Sequence, residues 1–500
     1  MSSSGFKVLL VNCNTPMDNL IPAGVSLLSA ILKEHGFEVR LFDTTFYKPP
    51  GVESGDEVRA RNLQVRKTDL GEFGILPEPN PATEDFRALV LDWQPDLIGF
   101  SIIECTSVLS LDLAGAIADW RRSVPRVWGG VHATFATEAL LAEELVDIVC
   151  KGEGEYPMLE LCQALREGRD HTAIANLMVK HQGRIHRNPL RWVVDLDELP
   201  DQDWEIYDRR RFYKPMGGRI WITGTFEMNR GCPYSCMYCV NYGLNKLYKG
   251  LGGYYRERSI AGLIREMKDK KARYRLDFAY LVAESFLTTT QARLEEFAAR
   301  YPTEVGLPFW VEARPESITP ERVRMLEICG CEGISIGVES GNHEFRRQFM
   351  NRNIPNDKIV RAFEVLAASK LRVSANNVIG FPTETRELVF ETIELNRQFP
   401  RVAGVMCSLY SPYQGTRLRE IAEERGYLDK GAVAGDYRKE AVMRTEHLSP
   451  DQVLGLQRTF PLYVKLPKEQ WPAIRRAEEM TSEGDRVFEE LAVEYLGARS

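Results

Sequence analysis

Short apolar runs alternate with stretches of helical periodicity through most of this chain. Residues 6–11 form a β-branched apolar run, followed by turn-rich residues 12–19. Leu27, Leu28, Ile31 and Leu32 then recur at helical spacing up to Gly36, a residue type suited to the turn that closes a helix. Residues 38–42 predict a second strand, while 48–85, rich in Pro, Gly and charge, read as an excursion. A buried-type strand at 97–103 precedes a helix carrying Leu109, Leu113 and Ile117. A strand at 126–128 runs into Gly129-Gly130, a helix follows near 137–145, and a strand at 146–150 leads to Gly152-Glu153-Gly154-Glu155 at the start of another helix. Strands separated by helices pair in parallel, so residues 1–165 predict a doubly wound α/β sheet. Ligands of such sheets sit at the carboxyl ends of the strands, here 12–16, 101–106, 129–134 and 151–155.

Residues 166–218 read as a connector. A second alternation over 219–430 counts to six units, with strands at 220–228, 276–283, 308–313, 333–339, 371–379 and 403–410. Between them lie helices such as 259–270, with Ile260, Leu263, Ile264 and Met267 on one face. Six βα units fall short of the eight that close a TIM barrel, so a partial (β/α)6 TIM-like barrel is expected. Residues 431–500 read as a helical segment with Tyr463 and Trp471 as aromatic anchors. Tyr463, Lys465 and Trp471 either cap the barrel mouth or simply pack.

Composition narrows the class. With 44% hydrophobic and 27% charged residues, disordered, fibrous and collagenous chains are excluded. At about 150 residues per domain, 500 residues imply two to four domains. The balance of 64 basic and 71 acidic residues, net −7, argues against a dedicated nucleic-acid binder. No apolar run approaches the roughly 18 residues of a membrane span. The opening apolar run reads as a strand rather than a signal peptide, and a cytoplasmic location is expected.

Ten cysteines fit no disulfide framework in such a compartment. Seven are scattered, at 13, 105, 150, 162, 329, 331 and 407, and read as ordinary thiols. The other three, Cys232, Cys236 and Cys239, follow the first barrel strand at spacings of four and three. Three thiolates on a loop can wrap one metal centre and leave a position open. A structural zinc site would need a fourth Cys or His nearby, and none is apparent. An iron–sulfur cube with three Cys ligands keeps one iron free for another ligand. Three structural thiols are the remaining alternative.

The C-x-x-x-C-x-aromatic-C pattern, with Tyr238 in the aromatic slot, resembles the signature of radical S-adenosylmethionine (SAM) enzymes. The resemblance implies a [4Fe–4S] cluster held by Cys232, Cys236 and Cys239, whose fourth iron chelates SAM. Residues 333–341, with Gly337 and Glu339, resemble the family's Gly-rich SAM-contacting strand. Residues 378–384, with Gly380, resemble the next, and 410–416 the segment closing the sixth. Arg314, after the third strand, is placed to meet the SAM carboxylate. Where the family often has acidic or Gly-Gly-Glu residues after the second strand, this chain has Ala283-Glu284-Ser285, and Glu284 is the expected amino-group partner.

The first domain resembles the Rossmann-like cobalamin-binding domain that precedes the barrel in one large radical SAM subgroup. The residues carrying that likeness are Asn14, Thr15, Pro16 and Gly24; Gly129, Gly130, His132 and Thr134; and Gly152, Glu153, Gly154 and Glu155. Glycines after a strand let backbone approach a bulky ligand, and helix N-termini favour a phosphate. Ser101, Glu104 and Thr106 are expected below the corrin. The D-x-H-x-x-G motif whose His ligates cobalt elsewhere is absent, and His132 resembles part of the tail-binding loop instead. Cobalamin is therefore expected to bind without a protein His on its lower face.

The resemblance implies that cob(I)alamin takes a methyl from one SAM, that a second SAM yields a 5′-deoxyadenosyl radical, and that the substrate radical captures the methyl. Methylation of an unactivated carbon in a small-molecule or peptide substrate is the leading expectation, with an electron donor such as flavodoxin or ferredoxin. Oxidative cyclisation or ring rearrangement on the same architecture is the alternative. A methylthiotransferase would carry three further N-terminal cluster cysteines and a β-rich C-terminus. A non-catalytic corrinoid carrier would need no cysteine loop.

Overall fold

The run Lys7–Asn12 forms the first strand, β1, and buries Val8 to Val11 to 3% exposure or less. In the computed structural model, which describes residues 5–497, β1 is flanked on both sides, by β2 (Glu38–Asp43) and β3 (Leu97–Ser101). A strand covered on both faces reads as continuous apolar sequence, as this one does. The sheet continues through β4 (Arg126–Gly129) and β5 (Ile148–Cys150), all parallel, and ends on the antiparallel strands β6 (Leu177–His181) and β7 (Arg184–Arg187). Because the order is β2-β1-β3-β4-β5, the chain reverses direction across the sheet at β1 and β3, where a crevice opens at the carboxyl ends. Phe100 of β3 stacks on Trp128 of β4 at 4.5 Å. The helix Ala23–Glu34 packs Val25, Leu27, Ile31 and Leu32 inward and stops at Gly36, whose φ of +77° is the left-handed turn expected there. A helix at Ala82–Trp93, burying Phe86, Val90 and Trp93, replaces the end of the expected excursion.

The first compact unit comprises the described residues up to Ser54, Asp69–Lys214 and Tyr248–Gly253. The second comprises Gly55–Thr68, Pro215–Leu247 and the residues from Tyr254 onward. Residues 55–68 thus fold with the barrel, where Gln64 Nε2 donates to the Cys407 carbonyl at 3.0 Å and Gln64 Oε1 accepts from the Cys407 N–H at 3.2 Å. That side chain satisfies backbone groups on the open edge of the sheet.

The barrel sheet runs β16-β15-β14-β13-β12-β9-β8. Its strands are β8 (Tyr213–Met216), β9 (Arg219–Glu227), β12 (Phe278–Val282), β13 (Phe309–Ala313), β14 (Cys331–Glu339), β15 (Arg372–Ile379) and β16 (Gly404–Leu409); a short ribbon, β10 (Asn229–Arg230) and β11 (Arg256–Glu257), stands apart. The six strands from β9 to β16 pair in parallel, so the expected six-unit partial barrel is what forms. The C-terminal segment is helical from Pro450, in helices Pro450–Lys465, Trp471–Ala477 and Ser482–Gly497. Tyr463 is 1% exposed, packs edge-on to Phe390 and Trp471, and donates to Glu478. Arg386 grips the same carboxylate with two bonds of 2.7 and 2.6 Å. Tyr463 is therefore a core residue of this segment, with Trp471 half-buried against it.

Candidate active site

The cysteine loop follows β9 and is tied down on several sides. Asn245 Nδ2 donates to the Cys232 carbonyl at 2.9 Å, Met237 N–H to the Met350 carbonyl at 3.2 Å, and Asn351 Nδ2 to the Ser235 carbonyl at 2.9 Å. Cys232 and Cys236 are 9% and 8% exposed, and Cys236 acts electrostatically on both other thiols. Arg314 Nη1 donates to Cys236 Sγ at 3.1 Å, and Asn241 Nδ2 lies 3.6 Å from Cys239 Sγ. Burial, with Glu284 adding, pushes the Cys239 thiol up to about 12, so it stays protonated in water and would lose its proton on taking a metal. Among the described residues no three or more His, Cys, Asp or Glu side chains are gathered closely enough to hold one metal ion. Three thiols on one loop are the donor set a cube would use, each ligand on a different iron.

The expected SAM contacts converge on the same mouth. Glu339 ends β14 with φ +69°, a left-handed conformation that costs a non-glycine residue free energy. Its carboxylate is held there by Arg352 Nη1 at 2.7 Å, while Arg352 Nη2 donates to the Gly337 carbonyl at 2.8 Å. Arg352 is 2% exposed and also reaches the Tyr238 hydroxyl at 3.3 Å. A Cβ on Gly337 would lie 2.5 Å from Glu339 Oε1. Arg314 pairs with Glu316 at 2.6 Å and lies 3.8 Å from the Tyr234 ring centroid. Glu284 reaches solvent, yet protein hems it in: burial raises its carboxyl, with Glu312 and Glu227 adding, against a hydrogen bond from Asn241. Arg352, Glu316 and Asn241 carry no readable motif, because their partners are set by barrel closure.

Gly380 follows β15 with φ +89°, and its N–H donates to Glu384 Oε2 at 2.6 Å. Phe381 N–H joins at 3.3 Å, while Glu384 Oε1 is buried without a hydrogen-bond partner. Burial lifts this carboxyl to about 8 against those two bonds. Between the ordinary value near 4.3 and that point, the folded chain holds a proton the unfolded chain releases, so stability falls as pH rises through this window and levels above it. Glu384→Gln is expected to remove that slope, of the order of a few kcal/mol. Urea midpoints at pH 5.5 and 8 for both proteins check this; an unchanged slope in the variant refutes it.

In the first unit the expected cobalamin loops meet at the β1/β3 crevice. Cys13 N–H donates to the Ser101 carbonyl at 3.1 Å, and Asn14 Nδ2 binds the Asp18 carbonyl and the Thr45 hydroxyl. Thr15 is buried, Pro16 half-buried, and a Cβ on Gly24 would meet nothing within 4 Å. Glu104 and Thr106 are buried after β3, and His132 after β4, with Nδ1 3.8 Å from Glu104 Oε2 and lacking a hydrogen bond. An unsatisfied buried ring nitrogen at a crevice floor fits a site completed by a polar ligand. Thr134 Oγ1 donates to the Gly130 carbonyl and accepts from the Gly152 N–H, both at 3.0 Å, which ties the third and fourth loops together. Gly129 is half-buried, Gly154 packs near Cys150, and Glu155 opens the helix Glu155–Arg166.

Tyr248, outside any motif, completes this loop. Its hydroxyl accepts from the Glu153 N–H at 2.8 Å and fills the space a Gly152 side chain would need, 2.1 Å from where a Cβ would lie. Glu153 is further engaged through Oε2 to Val194 N–H and through its carbonyl to Asn176. Tyr248→Phe leaves a buried N–H unpaired, a loss of about 1–3 kcal/mol. A lower melting temperature and weaker hydroxocobalamin binding by absorbance, with iron content unchanged, are expected; unaltered binding would contradict this role.

Fold and site together define an α/β enzyme with a Rossmann-like ligand unit and a partial barrel carrying a three-cysteine loop. The B12 binding domain family matches residues 9–162 and the Radical SAM superfamily residues 226–395. The chain belongs to the cobalamin-dependent radical SAM enzymes, whose cofactors are a [4Fe–4S] cluster, SAM and cobalamin. An uncharacterized methyltransferase of Pyrococcus horikoshii is 25% identical over 381 residues, 75% of this chain and 79% of that protein. The anaerobic magnesium-protoporphyrin IX monomethyl ester cyclase of Rubrivivax gelatinosus is 23% identical over 346 residues, 67% of this chain and 60% of the cyclase. The structure of OxsB with aqua-cobalamin and SAM bound has a TM-score of 0.67 at 14% identity, covering 99% of this chain and 72% of that one, and so shares the fold. No helix among the described residues is long and apolar enough to cross a membrane.

Proposed function

We propose that this enzyme transfers a methyl group to an unactivated carbon. The observation that carries the reading is the methyltransferase relative, which is similar across three quarters of both chains and so across both cofactor domains. When bound, the cluster with SAM supplies hydrogen-atom abstraction and cobalamin supplies methyl transfer. The protein's part is placement. Cys232, Cys236 and Cys239 hold the cluster, and Arg314 donates to Cys236 Sγ at 3.1 Å. Arg352 fixes Glu339 and the Gly337 carbonyl, so the SAM-facing strand end is set before a ligand arrives. Gly130, Thr134 and Gly152 form the connected backbone over which the corrinoid's tail would lie.

The reading places the enzyme in the cytoplasm, with flavodoxin or ferredoxin as reductant. Anaerobic reconstitution followed by mass spectrometry tests it. Methylation releases both 5′-deoxyadenosine and S-adenosylhomocysteine and carries deuterated methyl from labelled SAM into product. The cyclase relative favours a second reading, oxidative ring closure. Deoxyadenosine with no S-adenosylhomocysteine would establish it and remove the first.

A further inference from the structure

The inner face of the barrel carries several polar side chains, while its outer face is mostly apolar, with Asn377 a buried exception bonded to Asn396. Along β14, β15 and β16 buried residues such as Ile334, Val373 and Val405 alternate with solvent-reaching ones, and on β13 Glu312 is the residue that reaches solvent. The register aligns Glu312 with Ser335, Ser335 with Ser374, and Ser374 with Gly404, so one level of the inner face holds a single carboxylate among small side chains. Glu312 reaches solvent from a strand with neighbours on both sides, yet protein surrounds its carboxyl closely enough to raise it, so it lines a solvent-reaching hollow.

Several donors around that hollow are already engaged. Tyr280 Oη donates to Glu312 Oε1 at 3.1 Å, Trp310 Nε1 to Ser335 Oγ at 2.8 Å, and Ser374 Oγ to Asn376 Oδ1 at 3.2 Å. Arg59 donates to the Tyr437 hydroxyl at 3.0 Å and pairs with Asp56 at 3.7 Å. Glu312 Oε2 adds acceptor capacity there, because only Oε1 takes the Tyr280 bond. Burial lifts the Glu312 carboxyl, with Glu339 adding, against the Tyr280 bond and the Arg59 charge, so its negative charge lacks a full counter-ion. Glu312 also stands two residues before Arg314, whose guanidinium touches Cys236 Sγ, and two strand residues span about 6.6 Å. A group held by Glu312 lies close to the cluster loop.

We propose that Glu312 anchors the substrate through a primary amine, so that the enzyme acts on a compact amine-bearing metabolite. This rests on the radical reading of the barrel. A charge-assisted hydrogen bond from an ammonium would complete the carboxylate, and Tyr280 would hold it in place.

The test uses the full chain loaded with cluster and cobalamin, under reductant, and reads 5′-deoxyadenosine release. The probes are proteinogenic amino acids, polyamines and amino sugars, each beside its N-acetylated form. At least one free amine is expected to stimulate release and its N-acetyl form not to. Glu312→Gln should raise KM for that amine by about ten- to a hundred-fold with a smaller change in kcat, the effect of losing a bond to a charged group. Glu312→Asp should recover part of the loss, and the SAM-induced change in the cluster's electron paramagnetic resonance should stay as in the wild type. Stimulation confined to acids or equal with N-acetyl forms, stimulation by no amine, an unchanged KM, or weakened SAM binding in Glu312→Gln each overturns the assignment. Failure of the radical reading is separate: the wild type would then cleave no SAM even without added amine.

Discussion

Replacing Cys236 with alanine is expected to abolish 5′-deoxyadenosine formation and lower iron content after reconstitution. In the proposed site each of the three thiols would supply the only protein bond to its iron, so no neighbour could substitute. Cys236 has the further role of receiving the Arg314 N–H at 3.1 Å, and its loss leaves a guanidinium that is 13% exposed without that partner. The variant's fold should survive, because alanine fits where a thiol stood in a loop held by Asn245, Met350 and Asn351. Circular dichroism checks the fold, iron analysis and chromatography of SAM products check the rest. Cys105→Ala, outside the loop, serves as the control with cluster intact. Persistent deoxyadenosine from Cys236→Ala would mean that the cluster is ligated elsewhere.

Gly130→Ala should be the most damaging change in the first unit. Gly130 has φ +101° and ψ −177°, a region open essentially to glycine alone and costing other residues about 1–3 kcal/mol. A Cβ there would also lie 2.5 Å from the Ile102 carbonyl oxygen, a backbone atom that cannot swing away as a side chain can. Moving Gly130 drags Thr134, and with it the Gly152 N–H that Thr134 holds. Three expected cobalamin loops shift together. The predicted result is loss of hydroxocobalamin binding by absorbance titration, a lower melting temperature, and an unchanged iron content. Gly24→Ala separates strain from contact: its Cβ meets no protein atom, so any loss of binding there comes from the ligand itself. Tight cobalamin binding by Gly130→Ala would show that the loop geometry is not what receives the ligand.

Much of the site is readable because its chemistry is local. The cysteine loop needs three residue types within eight positions, and a loop presents them together wherever it lies. Gly36 can be placed because a helix end imposes its own conformation. Gly130 can be singled out for close backbone approach, though the Ile102 carbonyl that enforces it lies on another strand's loop. Residues whose role depends on a distant partner are not readable in this way. Arg352 follows a short helix, and nothing near it announces that Glu339 and Tyr238 lie across the strand end. Gln64 sits in what reads as an excursion, yet completes hydrogen bonds on β16. Tyr248 looks like one more aromatic after a helix, and its partner, Glu153, is 95 residues away.

Two alternating α/β segments, a partial barrel and the three-thiol loop are legible in the residues alone, because periodicity, glycine placement and ligand spacing act over a few residues. Tertiary structure decided which side chains those elements bring face to face. It packed Tyr463 into the core with Trp471 half-buried against it, gave Glu384 a buried carboxyl bonded to two backbone amides, and left Glu312 reaching solvent from a central strand. The reason is physical. Local pattern says which face of a strand is polar, but only closure of the sheet decides what that face surrounds.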